Sequence, residues 1–200
     1  TTRDAAIKNF SGEAIFEQKG VEFPEAFSPL AVNVVASKYF YGDVETGNGT
    51  PAEGQREYSL KQLVHRVTRT ITDWGREQNY FATDTDAETF YDDLTWLCTN
   101  QFGAFNSPVW FNVGLGQQYG IRDSGGKTIS GWDFETQQIV DVDPYERPQA
   151  SACFIISVED SVDDIWQLMG ESARLFKFGS GVGADWSKLR SSHEKLSGGG

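Results

Sequence analysis

The chain has 200 residues, with 17 Lys and Arg against 29 Asp and Glu, a formal net charge of −12. A surface that acidic repels a phosphate backbone, which argues against general DNA or RNA binding but leaves room for a small anion in a local pocket. The composition is that of a folding chain, without a secretory signal in Thr1–Phe10 or an apolar run near the ~20 residues of a membrane span.

Two cysteines, Cys98 and Cys153, are too few for a disulfide-stapled module and suit a reducing cytoplasm; two histidines nearly exclude a His-rich zinc site. Thr1 stands where a Met would open a chain, so the start is read as processed or missing. Residues 1–57 show no clear period. Ala31–Phe40 suits a short helix or a strand equally, and Gly42–Gly54 reads as a turn-rich acidic linker. Ser59 with Gln62 three residues on makes a capping box. Leu60, Leu63, Val64, Val67, Ile71 and Trp74 then share one face at the helical period, with Gly75 as a stop and His65 at the boundary. A second helix starts near Thr83, where Asp84, Asp86 and Glu88 suit the helix dipole. Its buried stripe is Phe90, Leu94, Leu97 and Cys98, the last as a small core hydrophobe.

Over residues 102–115, Val109, Phe111 and Val113 alternate with Trp110, Asn112 and Gly114, a strand pattern entered at Pro108. Gln117–Pro148 is a long excursion, with a hairpin expected around Ser124-Gly125-Gly126. Ala152–Val158 has the β-branched, apolar character of a buried strand. A third helix follows, capped by Asp160 or Ser161 and ended by Gly179. Its inner face is Val162, Ile165, Leu168, Met169, Ala173 and Phe176. A glycine loop (residues 179–183) then leads to another strand, so the order strand–helix–strand predicts a β-α-β unit in a parallel α/β architecture.

The residues alone leave the chemistry open. The glycine run follows a helix, unlike a dinucleotide-binding fingerprint, and no Gly-Lys-Ser/Thr makes it a P-loop. It suits a tight turn or the close approach of a ligand. Cys153 reads as a core thiol, Asp160 and Ser161 as plain caps, and Ser107-Pro108 as a strand entry.

Several segments together resemble one family. Ala104–Gly114 (AFNSPVWFNVG), Ser151–Ile155 (SACFI), Val158–Ser161 (VEDS), Leu175-Phe176-Lys177 with Gly179-Ser180-Gly181, Leu189–Ser192 (LRSS) and Glu194–Gly200 are similar to the large adenosylcobalamin-dependent (class II) ribonucleotide reductases. Val35–Phe40, the Trp74 helix and Tyr80–Asp84 add weaker likeness. The resemblance implies an α/β fold in three parts. Residues 1–57 would be an N-terminal extension and linker, and 58–101 the helical N-terminal part. Residues 102–200 would be the first strands and helices of a ten-stranded α/β barrel, incomplete in this chain, with an insert near 117–149.

It further implies a radical reaction that replaces the ribose 2′-hydroxyl of a ribonucleotide by hydrogen. The cofactor would be adenosylcobalamin, bound mostly by residues outside this chain. Cys153 matches the barrel-strand cysteine that reduces the ribose and ends up disulfide-bonded to a second cysteine, expected beyond Gly200. Ser107 matches a position that helps hold the substrate's phosphates, and Ala152 and Gly181 line the same pocket. Asp160, Ser161 and Arg190 match the site of a deoxynucleoside triphosphate effector, with Arg190 suited to phosphate by its planar charged fork. The Asp160 helix would pack at the interface of a homodimer.

The implied partners are the C-terminal remainder of the enzyme and a thioredoxin-like reductant, with no nucleic acid and no membrane. Ala150 stands where the family often has a further cysteine, and residues 1–57 lack the basic opening of an ATP-cone domain. The radical-bearing cysteine would also lie further on, so the chain alone is expected to be inactive. Two rival readings are a non-catalytic deoxynucleotide-binding or assembly protein and a fragment of a class I catalytic subunit. The extended Ser107–Asn112 run favours class II.

Overall fold

The structure is a computed structural model that describes residues 1–123, 128–177 and 180–194. It divides into two compact units, residues 1–150 and 151–200. No helix among the described residues is long and apolar enough to cross a membrane.

The first unit opens with an antiparallel pair, β1 (Thr2–Lys8) and β2 (Ala14–Glu22). Asn9 shapes the turn between them, its side-chain oxygen accepting from the backbone N–H of Ser11 and Glu13. α1 (Pro29–Lys38) follows, so Ala31–Phe40 is mostly helix: Ser28 caps it and Pro29 opens it with φ already set. Ala5, Val21 and Phe23 from the hairpin region meet Val32, Ala36 and Phe40 from the α1 region. Residues 42–54 form two short 3-10 turns, and Arg56 ties them in by donating to the carbonyls of Gly42 and Ala36 and to Gln18 Oε1.

α2 (Leu60–Glu77) completes that core with Leu60, Leu63 and Val64, each worth about 1.5–3 kcal/mol when fully buried. The capping box is present as read: Ser59 Oγ accepts from Lys61 N, and Gln62 Oε1 accepts from Ser59 N. Gly75 is not the stop. It is buried inside the helix, and a Cβ there would come within 2.6 Å of the Phe81 ring. Glycine lets that ring close on the helix. α2 is also more than amphipathic, because Arg66, Thr68, Thr70 and Thr72 are buried with its apolar face. The hydroxyls of Thr68 and Thr72 bond back to the carbonyls of Val64 and Thr68, so these two are satisfied within the helix, whereas Thr70 accepts from the Gln118 side chain.

α3 (Asp84–Thr99) packs along α2 and is capped by Thr83 and Asp86. Its expected stripe is only partly covered: Ala87 and Cys98 are buried, but Phe90 and Leu97 are 37% and 40% exposed. The strand expected over 102–115 is helix instead. Asn106 caps α4 (Ser107–Asn112) with Pro108 in its first turn, and α5 (Leu115–Tyr119) follows. The buried pair is Val109 and Val113, spaced i and i+4, not the i and i+2 set of a strand. The alternation in the sequence reflected a helix too short to show its period. A hairpin does form in the long excursion, from β3 (Ile129–Asp133) and β4 (Gln138–Val142). It turns at 134–137, where Asp133 Oδ1 accepts from the N–H of Glu135 and Thr136. The hairpin expected around Ser124-Gly125-Gly126 lies outside the described residues.

The second unit is the expected β-α-β unit. β5 (Cys153–Ser157) and β6 (Gly181–Asp185) pair in parallel, joined by α6 (Val162–Lys177). Among the described residues this parallel pair closes no barrel. β5 is not buried on both faces: exposure alternates along it, and Ile155 is 80% exposed. Gly181 and Gly183 lie within β6, so that part of the expected loop is strand; Gly179 as a cap, and Lys195–Gly200, lie outside the described residues. On α6, Leu168 is buried with Ile165 half-buried, whereas Val162, Met169, Ala173 and Phe176 are exposed, so the expected inner face is only partly the covered one.

Candidate functional site

Within the second unit, the parallel register sets Cys153 beside Gly181, Ile155 beside Gly183 and Ser157 beside Asp185. These residues share the sheet face that alternates with the half-buried Phe154, Ile156, Val182 and Ala184. Cys153 is a free thiol and is exposed, not the core thiol its composition suggests. Gly181 N donates to Ala152 O at 2.6 Å, which fixes the start of the pair. A Cβ at 181 would sit 3.7 Å from Cys153 Sγ. Glycine there leaves the thiol bare on that side.

At the other end of the same unit, Arg190 Nε meets Asp160 Oδ2 at 2.5 Å. Lys188 pairs with Glu159 beside them. These two ion pairs tie the loop before α6 to the segment after β6. Ser161 Oγ accepts from Asp164 N at 3.1 Å and so caps α6. Asp160, Ser161 and Arg190 are therefore neighbours in space, although Arg190 is 30 residues from Asp160. Asp185 accepts the backbone N–H of Ser187, which holds its carboxyl below the usual range.

Ser107 belongs to the first unit. It is the first residue of α4, half-buried, with its Oγ 3.0 Å from the Tyr39 hydroxyl. Behind it lies a charge network that the sequence reading missed. Arg66 and Glu57 are wholly buried and pair at 2.8 Å. The Arg66 guanidinium also donates to the carbonyls of Val113 (2.7 Å), Trp110 (2.7 Å) and Tyr39 (3.3 Å). Glu57 accepts from Tyr41 N (2.8 Å) and the Tyr119 hydroxyl (2.9 Å), and burial with the nearby Glu57 charge pushes the Tyr119 phenol far up. No local signal marks it, because the exposed His65 lies between Val64 and Val67 just as Arg66 does.

Cys98 is buried in α3, and burial pushes its thiol up, which suits a core residue and not a nucleophile. His65 keeps an exposed edge but is paired, its Nδ1 2.8 Å from the Tyr91 hydroxyl, and partial desolvation of the ring, with the Arg69 charge nearby, lowers its pKa. Two cavities of about 610 and 460 Å3 flank α2, and none of the sequence-read site residues lines either one.

Residues 1–101 match the family model of the class II vitamin B12-dependent ribonucleotide reductase, and residues 151–200 match that of the ribonucleotide reductase barrel domain. The chain belongs to the class II ribonucleotide reductases. It is 55% identical over 199 residues to the vitamin B12-dependent ribonucleotide reductase of Rhodopirellula baltica, covering 99% of this chain and 18% of that protein. It is 43% identical to the same-named reductase of Streptomyces coelicolor, again over 99% of this chain and 17% of the relative. For Agrobacterium fabrum the identity is 37%, over 97% of the chain and 18% of the reductase. The chain thus spans less than a fifth of the length of the curated relatives it matches. The reductase barrel match falls on the unit that holds Cys153, Asp160 and Arg190. Among the described residues no three His, Cys, Asp or Glu come together as metal ligands. Cobalamin carries its cobalt already ligated by the corrin ring, so such a cluster is not what that cofactor would ask of these residues.

Proposed function

We propose that this chain is the N-terminal portion of a reductase that converts ribonucleotides to 2′-deoxyribonucleotides, with adenosylcobalamin as its cofactor and source of the radical. Cys153 would be one of two thiols that supply the electrons. Overall, the 2′-hydroxyl leaves as water, a hydrogen takes its place, and the two thiols end as one disulfide. The second thiol would lie beyond Gly200, as would the radical cysteine and most of a ten-stranded barrel, so this stretch alone would be inactive. The single observation that carries the reading is the exposed Cys153 thiol at the head of β5, bared by Gly181.

Ser107, with Ala152 and Gly181, would hold the substrate. Asp160, Ser161 and Arg190 would contact a deoxynucleoside triphosphate effector, at an interface between two copies. A thioredoxin-like protein in the cytoplasm would reduce the disulfide. The test is Cys153→Ala in the complete enzyme, with turnover and deoxynucleotide binding measured side by side. The expected result is loss of multiple turnover with an external dithiol and unchanged effector binding, whereas Arg190→Ala weakens effector binding with the fold kept. Retained multiple turnover by Cys153→Ala would remove the redox role.

A further inference from the structure

Tyr39 closes α1 and Ser107 opens α4, 68 residues further along the chain, yet their hydroxyls are 3.0 Å apart. Two independent contacts fix this approach. The Tyr39 ring stacks on Phe111 of α4, with centroids 5.2 Å apart and planes 28° apart. The Tyr39 carbonyl is held by the same buried Arg66 guanidinium that holds the carbonyls of Trp110 and Val113 at the other end of α4. The phenol is thus anchored through its ring and its backbone, and Ser107 rides on the helix it is anchored to.

A serine hydroxyl has one proton to give and two lone pairs to accept with. If Ser107 gives its proton to an anion, its oxygen is left to accept, and the Tyr39 hydroxyl stands where it can donate. We propose that Tyr39 is a positioning residue for Ser107: it donates into Ser107 Oγ, aims that hydroxyl and frees its proton for a phosphate oxygen of the ribonucleotide. The role rests on the reading of Ser107 as a phosphate contact. In such a chain of donors each bond polarises the next, so losing the phenol is felt at the phosphate although Tyr39 does not touch it.

The test uses the complete enzyme with CDP, and CTP in parallel, in the wild type, Tyr39→Phe, Ser107→Ala and the double variant, each also followed by thermal melting. Tyr39→Phe keeps the ring on Phe111. It should raise KM about three- to tenfold at unchanged kcat, the size of one neutral hydrogen bond made equally in ground and transition states. Ser107→Ala should raise KM at least as much, and the double variant no more than Ser107→Ala alone. An unchanged KM for Tyr39→Phe beside a raised KM for Ser107→Ala overturns the positioning role and leaves the Ser107 reading standing. An unchanged KM for Ser107→Ala removes the phosphate reading, and the Tyr39 role with it. Additive losses in the double variant, or a lowered melting temperature with KM unmoved, would make Tyr39 structural only and overturn the proposal.

Discussion

Replacing Glu57 by Gln keeps the shape of the side chain and removes the charge opposite Arg66. Neither residue has exposed surface, so the arginine would remain charged, buried and without its counter-ion. Breaking a buried pair from one side costs about 3–5 kcal/mol, because the stranded charge cannot return to water. The amide can still accept from Tyr41 N, but it offers only one acceptor oxygen where the carboxylate serves Tyr41, Tyr119 and Arg66. The internal comparison is Glu146→Gln, which breaks the pair with Arg122, more than half exposed on both sides, and should cost about 0–1 kcal/mol. Urea unfolding followed by tryptophan fluorescence measures both. A further variant, Arg66→Met with Glu57→Met, separates charge from geometry. Apolar replacement often restores stability lost with a buried pair. Here it should not, because the carbonyls of Tyr39, Trp110 and Val113 would lose their donor, at about 1–3 kcal/mol for each one left unpaired. Equal midpoints for Glu57→Gln and Glu146→Gln, or a double Met variant as stable as the wild type, would refute the reasoning.

Other expected outcomes follow from single features. Gly114 has φ +86°, and a Cβ there would lie 2.2 Å from the Arg66 carbonyl oxygen; Gly114→Ala adds the ~1–2 kcal/mol of left-handed backbone strain to a clash that α2 must move to relieve, and a melting temperature unchanged from wild type would count against this packing. Glu88 accepts from Arg69 and Arg76, which lowers its pKa from 4.5 to about 2. A depressed carboxyl stabilises the fold above its unfolded pKa and loses that contribution as pH falls through the folded value. The stability gap between wild type and Glu88→Gln should therefore be full at neutral pH, shrink below 4.5 and close near 2; a gap independent of pH would show that the arginines do not hold the charge.

Parts of the fold were legible where the signal is local. The Ser59–Gln62 box, the Thr83 cap, the apolar face of α2 and the β-α-β order all depend on residues within a few positions of one another. Where the reading failed, a short-range signal pointed two ways or a contact from elsewhere in the chain decided the matter. Gly75 looked like a stop because glycine weakens a helix, yet the Phe81 ring needs that gap. Residues 107–112 alternated like a strand, but the Asn106 cap, Pro108 and the Arg66 bonds to Trp110 and Val113 make them a helix. The Tyr39–Ser107 contact, across 68 residues, left no local trace at all.

The exposure of Cys153 has a local cause as well. On the face that Cys153 shares with Ile155, the parallel neighbours from β6 are Gly181 and Gly183. A side chain at 181 would begin 3.7 Å from the sulfur, and one at 183 would begin 2.7 Å from Ile155 Cδ1. With glycine at both positions, no β6 side chain covers the thiol or crowds the isoleucine. The glycine run therefore acts as strand, and what it supplies is an absence of side chains beside a cysteine. A sulfur on a regular strand is also held more firmly than one on a loop, which is what a thiol must have if it is to meet a sugar carbon in a fixed geometry. The glycine run by itself suits a tight turn or the approach of a ligand equally, and the register of β5 against β6 shows that two of its glycines, Gly181 and Gly183, are strand residues beside Cys153 and Ile155.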